Sequence, residues 1–176
     1  MRIGIISDTH DDIENVQRAI DLFGREEVKL IIHAGDFVFP GVIDEFKNLK
    51  NMQPDINIIG VLGNNDGEKL VLLKKFNEMS GILEGEFIDT VIDGFRFGIY
   101  HGTNSSLTEA TIQSGIYNVF IHGHTHKIRE KKIGKTLVLN PGTAHKKIKS
   151  TSGVFEEGGI MIFDTGINKY KFYPLP

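Results

Sequence analysis

The sequence contains no cysteine among its 176 residues, and this absence excludes disulfide bonds and zinc sites built on thiolate ligands. Any metal ion would have to be bound by nitrogen and oxygen donors alone. An excess of charge is missing as well, because the formal net charge is only −3. The bulk electrostatics therefore give no reason to expect a nucleic-acid or membrane partner.

Long hydrophobic runs are absent too, because every apolar stretch is far shorter than the roughly 20 residues of a transmembrane helix. A strand-like run begins directly after Arg2, without the charged leader and cleavage site of a signal peptide. We therefore expect a cytoplasmic protein. The length, with 40% hydrophobic and 24% charged residues, is typical of one folded domain, here residues 1–176.

The first half of the sequence alternates three apolar, strand-like runs with three amphipathic helices. The strands are expected at residues 2–7, 28–33 and 56–62. Asp11 with Glu14 resembles a capping box that opens the first helix. The third helix is expected to bury four side chains, those of Leu72, Leu73, Phe76 and Met79. This βαβαβα order predicts a parallel sheet with right-handed crossovers.

The second half is richer in strands. Asp93-Gly94, between apolar runs at 87–92 and 95–100, is typical of a β-hairpin. Ser106 and Glu109 form a second capping-box pattern, which opens a helix before Gly115. Further strands are expected at residues 117–121, 127–133, 136–139, 159–163 and 169–173. The sequence Asn140-Pro141-Gly142 predicts a turn, and residues 143–158 predict a loop rich in Lys, Ser and Gly.

Three of the seven histidines fall within five residues, at His122, His124 and His126. In an extended segment, alternate side chains point to the same side, with Cα atoms about 6–7 Å apart. This spacing suits His124 and His126 as ligands of two different ions held about 3.5–4 Å apart. A His-x-His pair is a weak motif by itself, since two surface histidines on one strand are common, so the carboxylates must come from elsewhere.

Potential metal ligands follow five successive strands, at the point where each strand ends. They are Asp8, His10, Asp36, Asn64, His101, His124 and His126. In open α/β sheets the ligand crevice lies at the carboxyl ends of the strands, where all seven side chains can converge. Two carboxylates, one carboxamide and four imidazoles suit Mn²⁺, Fe²⁺, Zn²⁺ or Ni²⁺ better than Ca²⁺. Two such ions favour phosphoester hydrolysis.

The five ordered motifs resemble those of the calcineurin-like metallophosphoesterase superfamily. They are Asp8-x-His10, Gly35-Asp36, Gly63-Asn64-Asn65-Asp66, His101-Gly102 and Gly123-His124-Thr125-His126. The length and the Asn140-Pro141-Gly142 sequence further resemble the small single-domain phosphodiesterases of this superfamily. The resemblance implies a four-layer α/β/β/α sandwich, in which two mixed β-sheets are flanked by helices.

The resemblance also implies a role for each candidate residue. Asp36 would bridge two divalent transition-metal ions, with Mn²⁺ expected first and Ni²⁺, Fe²⁺ or Zn²⁺ as alternatives. Asp8, His10 and His126 would complete one metal site, and Asn64, His101 and His124 the other. The family nucleophile is a metal-bridging hydroxide that attacks phosphorus in line. Asp36, Asn64, Asn65 and His101 are the expected catalytic residues.

One position departs from the family pattern. Many relatives carry a histidine where this chain has Asn65, and that histidine is thought to protonate the leaving oxygen. A carboxamide is not a general acid at neutral pH. Two alternatives stay open: a preference for diesters with good leaving groups, or protonation by water.

Several polar residues near the motifs have a structural interpretation as well as a functional one. His33 and His122 are expected to be hydrogen-bonded histidines of the core or of the ligand surroundings, and Asp66 is expected to orient its loop or cap the next helix. His145 lies in the Lys-rich loop, which is either a solvated loop or a rim that attracts phosphate through Lys146 and Lys147.

These observations favour a phosphodiesterase that acts on a small or exposed phosphoester. The alternatives are a phosphomonoesterase or protein-phosphatase-like enzyme and a binding scaffold, because the superfamily includes a retromer-coat subunit that serves mainly in binding. Every ligand position here carries a competent donor, which argues against the scaffold. A nuclease is disfavoured by the charge and by the lack of a cap domain. A homo-oligomer is possible, since symmetric assemblies are common.

Overall fold

The computed structural model describes residues 1–145 and 158–176. In this part of the chain, two mixed β-sheets lie face to face and four helices cover their outer faces. We refer to the two sheets as sheet A and sheet B. The arrangement confirms the α/β/β/α sandwich that the family resemblance implies.

The first half of the chain builds most of sheet A. It contains β1 (Arg2–Ile6), α1 (Ile13–Arg25), β2 (Leu30–His33), α2 (Val42–Met52), β3 (Asn57–Gly60), α3 (Lys69–Glu78) and β4 (Ile82–Leu83). The strands β1, β2, β3 and β4 pair in parallel. Their carboxyl ends therefore meet at one edge of the sheet, as the alternation of strands and helices predicts.

The second half builds sheet B and completes sheet A. It contains β5 (Phe87–Ile92), β6 (Phe95–Tyr100), α4 (Ser105–Ser114), β7 (Val119–Ile121), β8 (Ile128–Ile133), β9 (Thr136–Pro141), β10 (Gly159–Asp164) and β11 (Lys169–Pro174). Sheet A has the strand order β11-β10-β1-β2-β3-β4, and sheet B has the order β5-β6-β7-β9-β8. Strands β6, β7 and β9 pair in parallel. The strands β10, β11, β5 and β8 pair with their neighbours antiparallel.

Each interface between layers has its own apolar cluster. Between the sheets, Ile5 and Ile32 of sheet A pack in one buried cluster with Phe97 and Ile99 of sheet B. The outer face of sheet A packs on α1, α2 and α3 in a second cluster. On the outer face of sheet B, Ile112 of α4 belongs to a third cluster. Burial of both faces explains why β1 and β2 read as continuous apolar runs.

Both predicted capping boxes are wrong in detail. The first helix is capped by Asp12, whose side chain accepts a hydrogen bond from the backbone N–H of Asn15. Asp11 accepts from the N–H of Phe39 instead, over 2.5 Å. The fourth helix is capped by Asn104, which accepts from the N–H of Leu107. Asp and Asn rank with Ser as N-caps, so composition alone does not separate adjacent polar residues.

Two further expectations differ from the structure, and one strand was not expected. Leu73 was expected to be buried, but its side chain is 40% exposed, because Leu72 and Phe76, four positions apart, define the inward face of α3. The two-residue strand β4 is too short to show a pattern in the sequence. Asn140 and Pro141 belong to β9 rather than to a turn. None of the described helices is long and apolar enough to cross a membrane.

Candidate metal centre

The carboxyl ends of β1, β2, β3, β6 and β7 bring together the polar residues that follow these strands, so both sheets contribute to one cluster. Two hydrogen bonds of candidate ligands join the sheets at this point. The backbone N–H of His124, after β7, donates to Asp8 Oδ2 over 3.1 Å. The ring Nδ1 of His101, after β6, lies 2.8 Å from the carbonyl oxygen of Ala34, after β2.

One group of donor atoms consists of Asp8, His10 and His126, whose donor atoms all lie within 4.8 Å of one another. His126 Nε2 is 3.2 Å from Asp8 Oδ1, and His10 Nε2 is 3.8 Å from the same oxygen. The two histidine Nε2 atoms are 3.2 Å apart. These are the three residues that the resemblance assigns to one metal ion, and their spacing suits a shared ion.

A second group consists of Asp8, Asp36 and His101, all of which are buried. Asp36 Oδ2 lies 3.3 Å from His101 Nε2 and 3.6 Å from His10 Nε2. Asp36 therefore faces both histidines and stands between the two groups. Asp8 belongs to both groups, so two carboxylates, rather than Asp36 alone, have a central position in this structure.

Two buried atoms of the cluster have no hydrogen-bond partner among the described residues, namely Asp8 Oδ1 and His101 Nε2. Both lie within ion-pair distance of a neighbour, but without hydrogen-bond geometry. A carbonyl oxygen can only accept, so His101 Nδ1 must carry the proton that it donates to Ala34, which leaves the Nε2 lone pair directed into the cluster. Buried oxygen and nitrogen lone pairs that accept no hydrogen bond fit a metal ion.

The electrostatics of the cluster favour ionised carboxylates. Burial by itself would raise the pKa of Asp8, but contacts with His10 and His126 and the nearby His101 outweigh it and hold the pKa well below its usual range. Burial also opposes the lowered pKa of Asp36, for which His101 and Asn65 are responsible. The pKa of His101 is raised, because the two carboxylates outweigh its burial. Ionised carboxylates are the form that binds metals.

Five of the seven candidate ligands have left-handed backbone conformations, which are uncommon for residues other than glycine. They are Asp8 (φ 53°), His10 (39°), Asp36 (59°), His124 (66°) and His126 (51°). Such conformations cost of order 1–3 kcal/mol each and are retained mainly at functional sites. The concentration of this strain in the cluster supports a functional role.

Close approach of the two sheets requires a glycine at position 123. A Cβ atom built there would overlap Ser7 Oγ and Asp8 Oδ2. Ser7 donates to the same Asp8 oxygen over 2.5 Å, which fixes the carboxylate. The glycine that precedes His124 thus has a physical reason at this position.

Asp66 has the structural role that the sequence predicts. Its buried carboxylate accepts hydrogen bonds from the backbone N–H groups of Gly63 (2.7 Å), Val38 (2.8 Å) and Asp36 (3.1 Å). It therefore ties the loop after β3 to the loop that carries Asp36. Burial raises the pKa of Asp66 in spite of these bonds.

Asn65 contacts Asp36 directly. Its side-chain Nδ2 donates to Asp36 Oδ2 over 2.8 Å, and its backbone N–H donates to Asp36 Oδ1 over 2.9 Å. The neighbouring Asn64 is exposed. His124 packs edge-on against His101, with ring centroids 5.2 Å apart, and lies outside both groups. The assignment of Asn64 and His124 to a second metal stays a prediction.

His33 and His122 are buried, as expected for histidines that support the site. His33 Nδ1 accepts from the N–H of Gly35, its Nε2 contacts Thr9 Oγ1, and its ring stacks on Phe37. His122 Nδ1 lies 3.1 Å from Asn140 Nδ2. Burial lowers the pKa of His33 to about 3 and that of His122 to about 4, so both rings are neutral at physiological pH.

His145 lies beside the cluster, which the sequence did not establish. Its ring centroid is 5.9 Å from that of His10, at an interplanar angle of 77°. The sequence leaves two interpretations of this Lys-rich loop open, a solvated loop or a rim that attracts phosphate. Lys146 and Lys147, the expected rim residues, lie outside the described part of the chain.

Comparison with known proteins agrees with this geometry. The sequence model of the family described as the calcineurin-like phosphoesterase superfamily domain matches residues 1–165. Phosphodiesterase MJ0936 of Methanocaldococcus jannaschii is 46% identical over 145 residues, which are 81% of this chain and 83% of that protein.

Two solved structures show the same architecture. An archaeal phosphodiesterase is 40% identical and has a TM-score of 0.86, over 99% of this chain and 100% of its own. Vps29 of Entamoeba histolytica, solved in complex with Zn²⁺, has a TM-score of 0.66 over 97% of this chain and 89% of its own. At 17% identity, the second likeness extends to the fold alone.

Proposed function

Because this chain belongs to the calcineurin-like phosphoesterase superfamily, we propose that it is a phosphodiesterase that works with two divalent transition-metal ions. The observation that carries the proposal is the pair of donor groups that share Asp8, with Asp36 facing both. The names of two relatives, 46% and 40% identical, support the diesterase activity. A small or exposed phosphoester is the proposed substrate.

Different residues of the chain would bind each of the two ions. Asp8, His10 and His126 would hold one ion, and Asp36, His101, His124 and Asn64 the other, with Asp36 and Asp8 central to both. The donor set of imidazole and carboxylate suits Mn²⁺ first, with Ni²⁺, Fe²⁺ and Zn²⁺ as alternatives. When bound, two such ions stabilise the attacking and leaving oxygens of an in-line displacement at phosphorus.

Protein groups around the ligands orient them for this role. The carbonyl oxygen of Ala34 holds His101 in the tautomer whose Nε2 points into the cluster. Asp66 and Asn65 hold the loop and the carboxylate of Asp36. The side-chain amide of Asn65 cannot supply a proton to the leaving oxygen. The enzyme is therefore expected to prefer diesters whose leaving groups need no protonation.

Hydrolysis of bis-4-nitrophenyl phosphate and of 4-nitrophenyl phosphate, before and after chelation, tests the proposal. We expect metal-dependent turnover that is faster for the diester, and loss of at least about a hundredfold in kcat on Asp36→Ala, since Asp36 is central to both donor groups. Faster turnover of the monoester would make the protein a phosphomonoesterase. Folded, metal-loaded protein without turnover of either ester would favour a binding scaffold.

A further inference from the structure

The segment that follows β9 runs back along the end of β1 and is fastened there. Thr143 Oγ1 donates to the carbonyl oxygen of Asp8 over 2.8 Å, and the N–H of Ala144 donates to the carbonyl oxygen of Ser7 over 3.0 Å. The N–H of His145 in turn donates to Thr143 Oγ1 over 3.1 Å. Thr143 and Ala144 are fully buried. The position of His145 is thus set by the same strand end that carries Asp8.

These hydrogen bonds place the ring of His145 at the accessible side of the cluster. The ring packs edge-on against His10, with centroids 5.9 Å apart. The side chain of His10 is 24% exposed, as is that of His126, and His145 is partly buried. The imidazole of His145 therefore borders the accessible side of the donor groups.

His145 does not belong to the ligand set itself. Neither group of donor atoms spaced for a shared ion includes it. A ring that adjoins a ligand from outside the set is placed to contact a molecule bound at the centre rather than the ion. An imidazole always carries at least one N–H donor, whether it is neutral or protonated. A phosphodiester presents two non-bridging oxygens that accept such hydrogen bonds.

We propose that His145 is a substrate-binding residue whose ring N–H donates a hydrogen bond to a non-bridging phosphoryl oxygen of the bound phosphodiester. The inference rests on the proposed function, because it assumes that a phosphoryl group occupies the centre.

Binding of inorganic phosphate to the Mn²⁺-loaded protein, measured by calorimetry, tests this assignment together with the metal content of each variant. For His145→Ala we expect the dissociation constant of phosphate to rise about tenfold, which is the effect typical of losing one hydrogen bond. The metal content should equal that of the parent. His145→Gln keeps an N–H donor and is expected to recover most of the affinity. Lys135→Ala, at the opposite end of β9, is the control and should bind phosphate like the parent.

Two results would overturn the assignment. Unchanged phosphate affinity in His145→Ala would show that the ring makes no contact with the ligand, and loss of bound metal would make His145 a metal ligand. Failure of the proposed function would give a different result, because the parent protein itself would then hydrolyse no phosphodiester. Circular dichroism of each variant confirms that the affinities compare folded proteins.

Discussion

At the scale of the residue, Asp36 is the most heavily constrained side chain of the centre. It faces His10 and His101, accepts two hydrogen bonds from Asn65, and has a left-handed backbone. Its own N–H is held by Asp66. These contacts fix the carboxylate before any ion arrives, which lowers the cost of organising the ligands.

The contact between Asn65 and Asp36 leads to a prediction about the leaving group. Asn65→His supplies a group that can donate a proton, so we expect kcat for diesters with poor leaving groups to rise at least about tenfold, relative to diesters with good leaving groups. Asn65→Ala is the matched control, because it removes the bond to Asp36 without adding an acid. If the ratio of the two rates in Asn65→His equals that of the parent, proton supply does not limit this enzyme.

Asp66 allows a prediction about stability. Asp66→Asn replaces a carboxylate that accepts three backbone hydrogen bonds by a group with one acceptor oxygen. We expect the free energy of unfolding, measured with urea, to fall by about 1.5–3 kcal/mol, with weaker metal binding because the Asp36 loop loosens. Asp55→Asn changes an exposed carboxylate and should leave both quantities unchanged. A fully stable Asp66→Asn protein would contradict the role assigned to this residue.

At the scale of the element, the sequence predicts the ends of the strands better than the caps of the helices. The positions of β1, β2, β3, β6 and β7 could be predicted from apolar runs followed by polar residues, because burial on both faces leaves a clear pattern. The caps at Asp12 and Asn104 could not, since neighbouring Asp, Asn and Ser residues have nearly equal capping preference. His145 was also out of reach, because its position depends on where the chain returns after β9 and not on any local period.

The approach of β7 to β1 leads to a prediction for Gly123. A methyl group at this position would overlap Ser7 Oγ and Asp8 Oδ2, so Gly123→Ala must displace the Asp8 carboxylate or separate the strand ends. We expect Mn²⁺ affinity, measured by calorimetry, to fall at least about tenfold, as the loss of one organised ligand implies. Gly85→Ala, whose Cβ would meet nothing within 4 Å, changes an exposed glycine between β4 and β5 and should bind Mn²⁺ normally. Normal binding by Gly123→Ala would show that the strand ends can separate freely.

At the scale of the whole molecule, the two buried neutral histidines make stability depend on pH. Between about pH 6.5 and pH 4.5 the unfolded chain binds protons at His33 and His122 that the folded protein does not, because their folded pKa values are about 3 and about 4. Stability therefore falls as the pH falls, by up to about 1.4 kcal/mol per pH unit for each histidine. His101, whose pKa is raised, acts in the opposite sense only above the unfolded value.

Urea unfolding of the metal-free protein across this range measures the effect. His122→Gln removes one of these groups, so its stability should change with pH less steeply than that of the parent, by up to about 1.4 kcal/mol per pH unit. The same slope in parent and variant would mean that His122 takes up its proton without unfolding. The carboxylates Asp8 and Asp36 do not disturb the comparison, because their lowered pKa values confine their effect to more acidic solutions.

The division of the centre between the two sheets has a mechanical consequence. Asp8, His10 and Asp36 follow strands of sheet A, whereas His101 and His126 follow strands of sheet B. Away from this edge, a buried apolar cluster fills the space between the two sheets. Ions bound at this edge would act as a cross-link that resists shear between the layers. Loading with metal should therefore slow amide hydrogen exchange in β2 and β7 together, although these strands share no backbone hydrogen bond. The rigidity of the whole sandwich would then depend on whether metal ions are bound at the centre.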